Sequence, residues 1–189
     1  PHDISVILLL LGEMPKEVSA HGGQYLNRDI ADITVTTMSF GGGTKAHIFV
    51  SWLHPYKEQK LIVIGDKKMA VFDDMSIGNK LALYGNFVEW RERVPVPNKA
   101  AAIPVKFVMD EPLQLECRHF LDCMVSRRVP RTNGEKGLKV LQVLHACQES
   151  LQERGALVSL RKKFYVHPTS LVEEPVSISE RSKIWHFSH

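Results

Sequence analysis

The sequence predicts an α+β fold, in which helices pack on one face of an open, mainly antiparallel β-sheet. Three observations predict it. A run of six apolar residues, Val6 to Leu11, stands near the start. Six short segments rich in β-branched and aromatic residues follow, and two segments with helical periodicity come after them. Because the strands form one run and the helices another, we expect a single sheet with helices layered on one side.

The first element is expected to be a buried helix over residues 1–12, because its apolar run ends at Gly12 and Pro15 stands beyond as a stop signal. The predicted strands span residues 17–25, 30–40, 45–53, 60–65, 69–74 and 80–85. Their connections are short and rich in turn-forming residues, which predicts an antiparallel meander, since parallel strands need crossovers of about a dozen residues. Both faces of segment 45–53 carry bulky side chains, so this strand is expected to be covered on both sides.

Two amphipathic helices are predicted after residues 86–111, a proline-containing segment read as a loop or edge excursion. Pro112 suits the first turn of a helix because its φ is fixed and it lacks an N–H. The apolar stripe predicted for this helix is Leu113, Cys117, Phe120, Leu121 and Met124. The stripe predicted for the next helix is Val140, Val143, Leu144, Cys147 and Leu151, with Gly155 as its cap.

Composition narrows the class of protein. Of 189 residues, 44% are hydrophobic and 24% charged, which is enough for an ordered core. The net charge of +3 has no single basic face behind it, so no nucleic-acid partner is predicted. No segment approaches the roughly 18 apolar residues that a membrane span needs. The three cysteines lack CxxC spacing, and we read them as small buried side chains in a reducing compartment, the cytoplasm.

The last stretch, residues 164–189, has a period of six. Aliphatic residues recur at that spacing at Val166, Val172, Ile178 and Ile184. A six-residue repeat with an aliphatic residue at each corner predicts a left-handed parallel β-helix, in which three repeats make one coil. This segment holds little more than one coil, so it is expected to be an incomplete β-helix, and chance is the alternative reading.

The stretches PHDISVILLLLG, AHIFVSWLHPYKEQKLIVIG, AVFDD and EPLQLECRHFLDCMVSRRVPRTNGEKGLKVLQVL resemble the C-terminal domain of the glucose–fructose oxidoreductase / inositol dehydrogenase (Gfo/Idh/MocA) family. The similar branch is that of the UDP-N-acetylglucosaminuronate dehydrogenases of bacterial surface-polysaccharide synthesis. The resemblance covers about residues 1–155. The tail, with its phrase KIWHFSH, resembles the start of the hexapeptide-repeat N-acetyltransferases of the same pathways.

The resemblance implies a substrate-binding and oligomerisation domain that works beside an NAD(P)-binding Rossmann domain. These 189 residues contain no G-x-G-x-x-G fingerprint, and Gly41–Gly43 stands between two strands with no helix after it, so no cofactor-binding residue is assigned. The implied function is oxidation of a UDP-N-acetyl-hexosaminuronate at C3, with the chain inactive by itself. The acetyl-CoA site that the tail family would bring is likewise not assigned. The alternatives are a non-catalytic oligomerisation or binding module and a fragment of a bifunctional dehydrogenase–N-acetyltransferase.

Five residues are candidate site residues. In the resembling enzymes a histidine at the position of His2 faces the nicotinamide and the reacting sugar carbon, and imidazole exchanges protons near neutral pH. The alternative is a frayed terminal residue. Trp52, His54, Tyr56 and Lys57 form an aromatic and basic cluster suited to an anionic nucleotide sugar, and the alternative is a strand end packed on its neighbours.

No metal site is predicted. Asp73 and Asp74 are read as turn formers. His119 and Asp122 lie three residues apart on a helix, but no second ligand pair accompanies them. His47 is read as a sheet residue.

Overall fold

The computed structural model describes residues 1–85, 88–97, 100–108, 110–160, 165–166 and 183–184. It divides into two compact units, Pro1–Leu53 with Arg131–His189, and His54–Pro130. The helices are α1 (His2–Leu11), α2 (Pro112–Ser126) and α3 (Gly134–Gln152). The strands are β1 (Glu17–Gly23), β2 (Ile33–Ser39), β3 (Lys45–Ser51), β4 (Lys60–Ile64), β5 (Lys68–Asp73), β6 (Leu81–Gly85), β7 (Val88–Arg91), β8 (Val94–Pro97), β9 (Ile103–Pro104), β10 (Val158–Ser159), β11 (Tyr165–Val166) and β12 (Lys183–Ile184).

Helix α1 ends where the sequence predicts. Gly12 adopts a left-handed conformation at φ 70°, and its N–H donates to the carbonyl of Leu8. Glycine takes this conformation at little steric cost, so the helix stops in one residue. The side chains of Ile4 and Ile7 are buried, which fixes α1 on the core of the first unit.

The first unit contains an antiparallel sheet with the strand order β10-β1-β2-β3. One face of this sheet carries Val18, Ala20 and Met38, whose side chains are fully buried. They form one core with residues from both helices of the unit and from the flanking strands: Ile4, Ile7, Phe40, Val143, Ala146, Cys147 and Val158. The α+β fold and the open, antiparallel sheet are therefore confirmed for this unit.

Helix α3 packs the predicted face into that core. Val143 and Cys147 are buried, and Val140, Leu144 and Leu151 pack against them. The sequence did not predict the residue that caps the start of α3. This residue is Asn133, whose side chain accepts a hydrogen bond of 3.0 Å from the N–H of Lys136.

The end of α3 has the predicted cap at Gly155, and Arg154 before it is left-handed as well. Arg154 occupies the left-handed position at φ 57°, and its N–H donates to the carbonyl of Leu151. The N–H of Gly155 donates to the carbonyl of Ser150 at 2.7 Å. These are the two bonds of a Schellman motif, with Gly155 one position beyond Arg154. Gly155 itself has φ 91°, a conformation that favours glycine, and a Cβ there would also collide with the ring of His21.

The second unit contains an antiparallel sheet with the strand order β4-β5-β6-β9 and a separate hairpin of β7 and β8. The β4–β5 turn closes with a hydrogen bond from the N–H of Gly65 to the carbonyl of Lys68. Helix α2 begins at Pro112 as predicted. Its predicted stripe is not a buried face, because Leu113, Phe120, Leu121 and Met124 are all more than half exposed and Cys123 is the buried residue of this helix.

Two expectations about the sheet are wrong. The expected single sheet is two four-stranded sheets. The connection 52–59 contains Pro55, which cannot donate to a strand ladder, and no strand forms in it. Strand β3 is covered on one face by this chain, whereas Phe49 on the other face is 49% exposed.

Strands β11 and β12 pair in parallel, with Val166 opposite Ile184. These two residues are corners of the predicted six-residue repeat, three repeats apart. The corners Val172 and Ile178 lie outside the described residues. The β-helix coil over residues 164–189 therefore stays a prediction.

Candidate functional site

One end of the first sheet gathers three strand termini. Gly23 ends β1, Ile33 begins β2 and Ser51 ends β3, and the three residues pair across the sheet. Trp52 follows directly, and its N–H donates to the carbonyl of Asp32 at 2.8 Å. The backbone of Trp52 is thus held at the sheet end, while its side chain is 85% exposed.

Asp32 organises the loop at this end of the sheet. Its carboxylate accepts hydrogen bonds of 2.5 and 2.6 Å from the N–H groups of Tyr25 and Leu26. The backbone hydrogen bond from Leu26 lowers the pKa of Asp32 most, burial opposes this, and those from Tyr25 and Asn27 lower it further. The carboxylate is therefore ionised at neutral pH, and its charge is satisfied within the loop.

The loop presents large apolar side chains to solvent next to Trp52. Tyr25, Leu26 and Ile30 are 73%, 72% and 62% exposed. Asp32 bonds both to the Tyr25–Leu26 backbone and to Trp52, so the loop and the end of β3 form one surface, called here the sheet-end surface. Sequence reasoning found Trp52 and missed the loop. The one available signal was an aspartate in a turn-forming segment, which is common in loops without any function.

The second unit holds the other predicted substrate residues. The rings of His54 and Tyr56 stack with a centroid separation of 5.8 Å and an interplanar angle of 21°. Tyr56 is 64% exposed, so this stacked pair lies at the surface. Trp52 belongs to the first unit, whereas His54, Tyr56 and Lys57 belong to the second.

Lys57 has an acidic neighbour. The hydrogen bond and charge of Lys80 lower the pKa of Asp74 most, burial opposes this, and the charge of Lys57 lowers it further. The Nζ of Lys80 lies 2.7 Å from Oδ1 of Asp74. Among the interactions described, Lys80 is the direct partner of Asp74, and Lys57 acts on Asp74 only through its charge.

His2 is the first residue of α1 and is exposed. The helix has Pro1 at its N-cap position, and the N–H of Ser5 donates to the carbonyl of Pro1 at 3.0 Å. Since α1 leads into β1, the carboxyl end of α1 lies near the start of β1. His2 lies at the opposite end of the helix. Ile4 and Ile7 anchor the helix, so the imidazole stands on a fixed element.

The residues considered for a metal are engaged otherwise. Asp73 pairs with Lys60 at 3.3 Å and accepts from the N–H of Met75, which fits a turn former. His119 contacts Cys123. Within the described part of the chain, no three His, Cys, Asp or Glu side chains are grouped so as to hold a metal ion. Also within that part, no helix has the length and apolar character to cross a membrane.

Residues 1–71 match the model of a family described as the GFO/IDH/MocA C-terminal domain. This region runs from α1 into β5, so it contains the sheet-end surface, His2 and the stacked rings. No curated protein matches the chain.

Solved structures resemble the chain in fold. UDP-N-acetylglucosamine 3-dehydrogenase GnnA from Acidithiobacillus ferrooxidans has a TM-score of 0.68 at 22% identity, covering 81% of this chain and 46% of its own. The WlbA dehydrogenase from Bordetella pertussis, in complex with NADH and UDP-GlcNAcA, has a TM-score of 0.59 at 20% identity, covering 84% and 42%. The aldose-aldose oxidoreductase from Caulobacter crescentus, complexed with glycerol, has a TM-score of 0.62 at 21% identity, covering 84% and 45%.

The chain spans less than half the length of these three structures. At such identities the likeness is one of fold. Residues 1–71 of this chain match the model of the GFO/IDH/MocA C-terminal domain, and the chain shares its fold with two dehydrogenases and an aldose-aldose oxidoreductase.

Proposed function

We propose that this chain is the substrate-binding and assembly half of an NAD(P)-dependent sugar-nucleotide dehydrogenase of the Gfo/Idh/MocA family. The proposed reaction is oxidation of a UDP-N-acetyl-hexosaminuronate at C3 in surface-polysaccharide biosynthesis. The observation that carries the proposal is the family match over residues 1–71, which includes every candidate site residue. The relative WlbA, in complex with NADH and UDP-GlcNAcA, supports the class of substrate.

The glycine-rich turn of this chain does not fit a dinucleotide. Gly41–Gly43 form a tight turn between the antiparallel strands β2 and β3, whereas a dinucleotide needs a glycine-rich turn that opens a helix. A Rossmann domain, in cis or in trans, is therefore part of the proposal.

His2 is proposed to act on the proton of the reacting hydroxyl group. Oxidation of a secondary alcohol to a ketone removes a hydride and the hydroxyl proton, and a positioned imidazole can take that proton or orient the hydroxyl. The exposed imidazole at the start of an anchored helix supports this role.

Trp52, His54, Tyr56 and Lys57 are proposed to bind the nucleotide sugar. Exposed aromatic faces suit stacking on a base or sugar ring, and an ammonium group suits a diphosphate. The exposure of Trp52 and Tyr56 supports the proposal, since both residues are accessible to a ligand.

The test is binding of UDP-GlcNAcA to the chain, measured by calorimetry beside NADH. We expect the sugar nucleotide to bind, and Trp52→Ala to weaken its binding about tenfold, as loss of a base–aromatic stack does. Lys57→Ala should also weaken it, whereas the control Lys67→Ala, at an exposed lysine in the β4–β5 turn of the same unit, should not. Absence of binding at millimolar sugar nucleotide contradicts the proposal, and tight binding of NADH contradicts the claim that the dinucleotide site lies elsewhere.

A second candidate function is a non-catalytic assembly module. Val35 and Phe49 pair across β2 and β3 on the sheet face away from the core, and they are 43% and 49% exposed. Apolar side chains exposed side by side favour contact with another copy of the chain.

A third candidate is a bifunctional dehydrogenase–N-acetyltransferase. The parallel pairing of Val166 with Ile184 supports a β-helix, because successive coils of a β-helix stack in parallel and each coil uses three six-residue repeats. The nucleotide sequence flanking this reading frame tests it. We expect an in-frame G-x-G-x-x-G upstream and further six-residue repeats downstream, and the absence of the repeats rules this candidate out.

A further inference from the structure

Helix α2 carries a cysteine and a histidine in contact, in a part of the molecule that the proposed dehydrogenase site does not use. Cys123 and His119 are one helical turn apart, and Sγ of Cys123 lies 3.6 Å from Nε2 and 3.9 Å from Nδ1 of His119. A thiol beside an imidazole has a proton acceptor at hand, which is the arrangement that activates cysteine nucleophiles.

Cys123 also lines an open, shallow cleft at the end of the helix. The cleft has a volume of about 280 Å³ and is lined by Phe120, Cys123, Met124, Arg127, Arg128 and Pro130. Two of these six residues are arginines and none is acidic. Cys123 is only 8% exposed, and the cleft is the opening that it lines. The cleft therefore favours a small ligand with anionic groups and an apolar body.

The other two cysteines lack these features. Cys147 belongs to the core of the first unit, and burial raises the pKa of its thiol, which a hydrogen bond with Thr36 only partly offsets. Cys117 is on α2 but exposed. The three thiols of the chain therefore stand in three different environments.

We propose that Cys123 is a modification site, at which the thiol exchanges with a small disulfide bearing carboxylates, of the glutathione class. Arg127 and Arg128 bind the carboxylates. His119 takes the thiol proton, and the resulting thiolate attacks one sulfur of the disulfide. A Cys123–reagent S–S bond forms as the S–S bond of the reagent breaks. Cys123 is oxidised, and the other half of the reagent is reduced and leaves as a thiolate, which is protonated by solvent.

The test compares two single-cysteine chains. One keeps Cys123 (Cys117→Ser with Cys147→Ser), and the other keeps Cys117 (Cys123→Ser with Cys147→Ser). We expect the anionic probe dithiobis(nitrobenzoate) to react with Cys123 about tenfold faster than with Cys117 in the native protein. Both rates should become similar in denaturant. Circular dichroism checks that each chain is folded.

Two further substitutions separate the roles of the neighbours. His119→Gln is expected to slow the reaction of Cys123 about tenfold and to leave that of Cys117 unchanged. Arg128→Gln is expected to slow the anionic probe, while the neutral probe dithiodipyridine reacts as before. Exposure to oxidised glutathione should give one adduct, which peptide mass spectrometry locates at Cys123.

Three results overturn the proposal. The first is a native rate for Cys123 equal to or below that of Cys117. The second is reaction of Cys123 in denaturant only. The third is a rate that neither His119→Gln nor Arg128→Gln changes in a chain that circular dichroism shows to be folded.

Discussion

Single residues at the ends of α3 and β1 determine how the chain turns, and Arg154 is the clearest case. It occupies the left-handed position of a Schellman motif at φ 57°, where a side chain costs about 1 kcal/mol relative to glycine. Arg154→Gly is therefore expected to raise the free energy of unfolding by about 1 kcal/mol.

A neighbouring residue serves as the control for Arg154. Glu153 has φ −92°, which suits any L-residue. Glu153→Gly therefore removes no backbone strain and increases the conformational entropy of the unfolded chain. It should lower the free energy of unfolding by about 0.5 kcal/mol. Urea denaturation measures both, and equal effects of the two substitutions would contradict the conformational argument.

Asp32 makes the stability of the first unit depend on pH. Hydrogen bonds from backbone N–H groups, that of Leu26 foremost, lower its pKa from the ordinary 3.8. A carboxyl with a lower pKa in the folded state stabilises that state above its unfolded pKa, and this stabilisation is lost as pH falls through the native value.

Asp32→Asn should consequently destabilise the chain at pH 7, and the difference from the parent chain should shrink as pH falls below about 3.8. Denaturation in urea at a series of pH values measures it. If the two chains differ in free energy of unfolding by the same amount at neutral and acid pH, the charge of Asp32 contributes nothing to stability.

Local signals in the sequence predicted some of these residues and not others. Gly12 and Pro112 are found where helix-end chemistry puts them, because each acts on its own backbone. The prediction placed the cap of α3 at Gly155, where φ is 91°, but it did not predict that Arg154 before it would also be left-handed. Asp32 acts on residues six and seven positions away, and a turn-rich segment does not specify which backbone groups an aspartate will meet.

At the scale of elements, periodicity predicted the bounds of the three helices and of β1 to β6 to within a few residues. It did not predict β7, β8 and β9, which form in the segment 86–111 that was read as a loop or edge excursion. It also did not predict what covers the helices and strands. The stripes of α2 and α3 look alike in sequence, yet Val143 of α3 is fully buried and Phe120 of α2 is 60% exposed. An amphipathic pattern indicates which face is apolar, and burial depends on a partner that the pattern does not name.

The core face of α3 is tested by a pair of substitutions on one helix. Val143→Ala removes two methyl groups from a fully buried site and should cost about 2 kcal/mol, from lost transfer energy and the cavity. Leu141→Ala removes more atoms, but Leu141 is 62% exposed, so its cost should stay within about 0.5 kcal/mol. Urea denaturation gives both values, and similar costs would mean that α3 does not pack as described.

At the scale of the molecule, the expectation of one sheet was wrong. The residue pattern of a strand predicts where the strand runs and where the chain turns, but not which strands pair across a longer connection. The same limit applies to β3, whose bulky outer face predicted cover on both sides. Its outer row of His21, Val35 and Phe49 runs across three paired strands. Of these, Val35 and Phe49 are the bulky apolar members left nearly half exposed.

That outer face leads to a prediction about assembly. Three strands of seven residues present a face of roughly 14 by 23 Å, and a standard interface buries roughly 800 Å² on each partner. The face alone is thus too small for a tight dimer. We expect sedimentation velocity to show association that increases with concentration up to the high micromolar range.

Phe49 is the residue to change, because it is the largest apolar side chain of the row. Phe49→Glu should shift the sedimentation of the chain to that of a monomer, since a buried, unpaired carboxylate opposes association. Ile77→Glu, at a fully exposed position in the second unit, is the matched control and should leave association unchanged. A parent chain that remains monomeric at high micromolar concentration would exclude self-association through this face, and the exposed row would then call for a different partner.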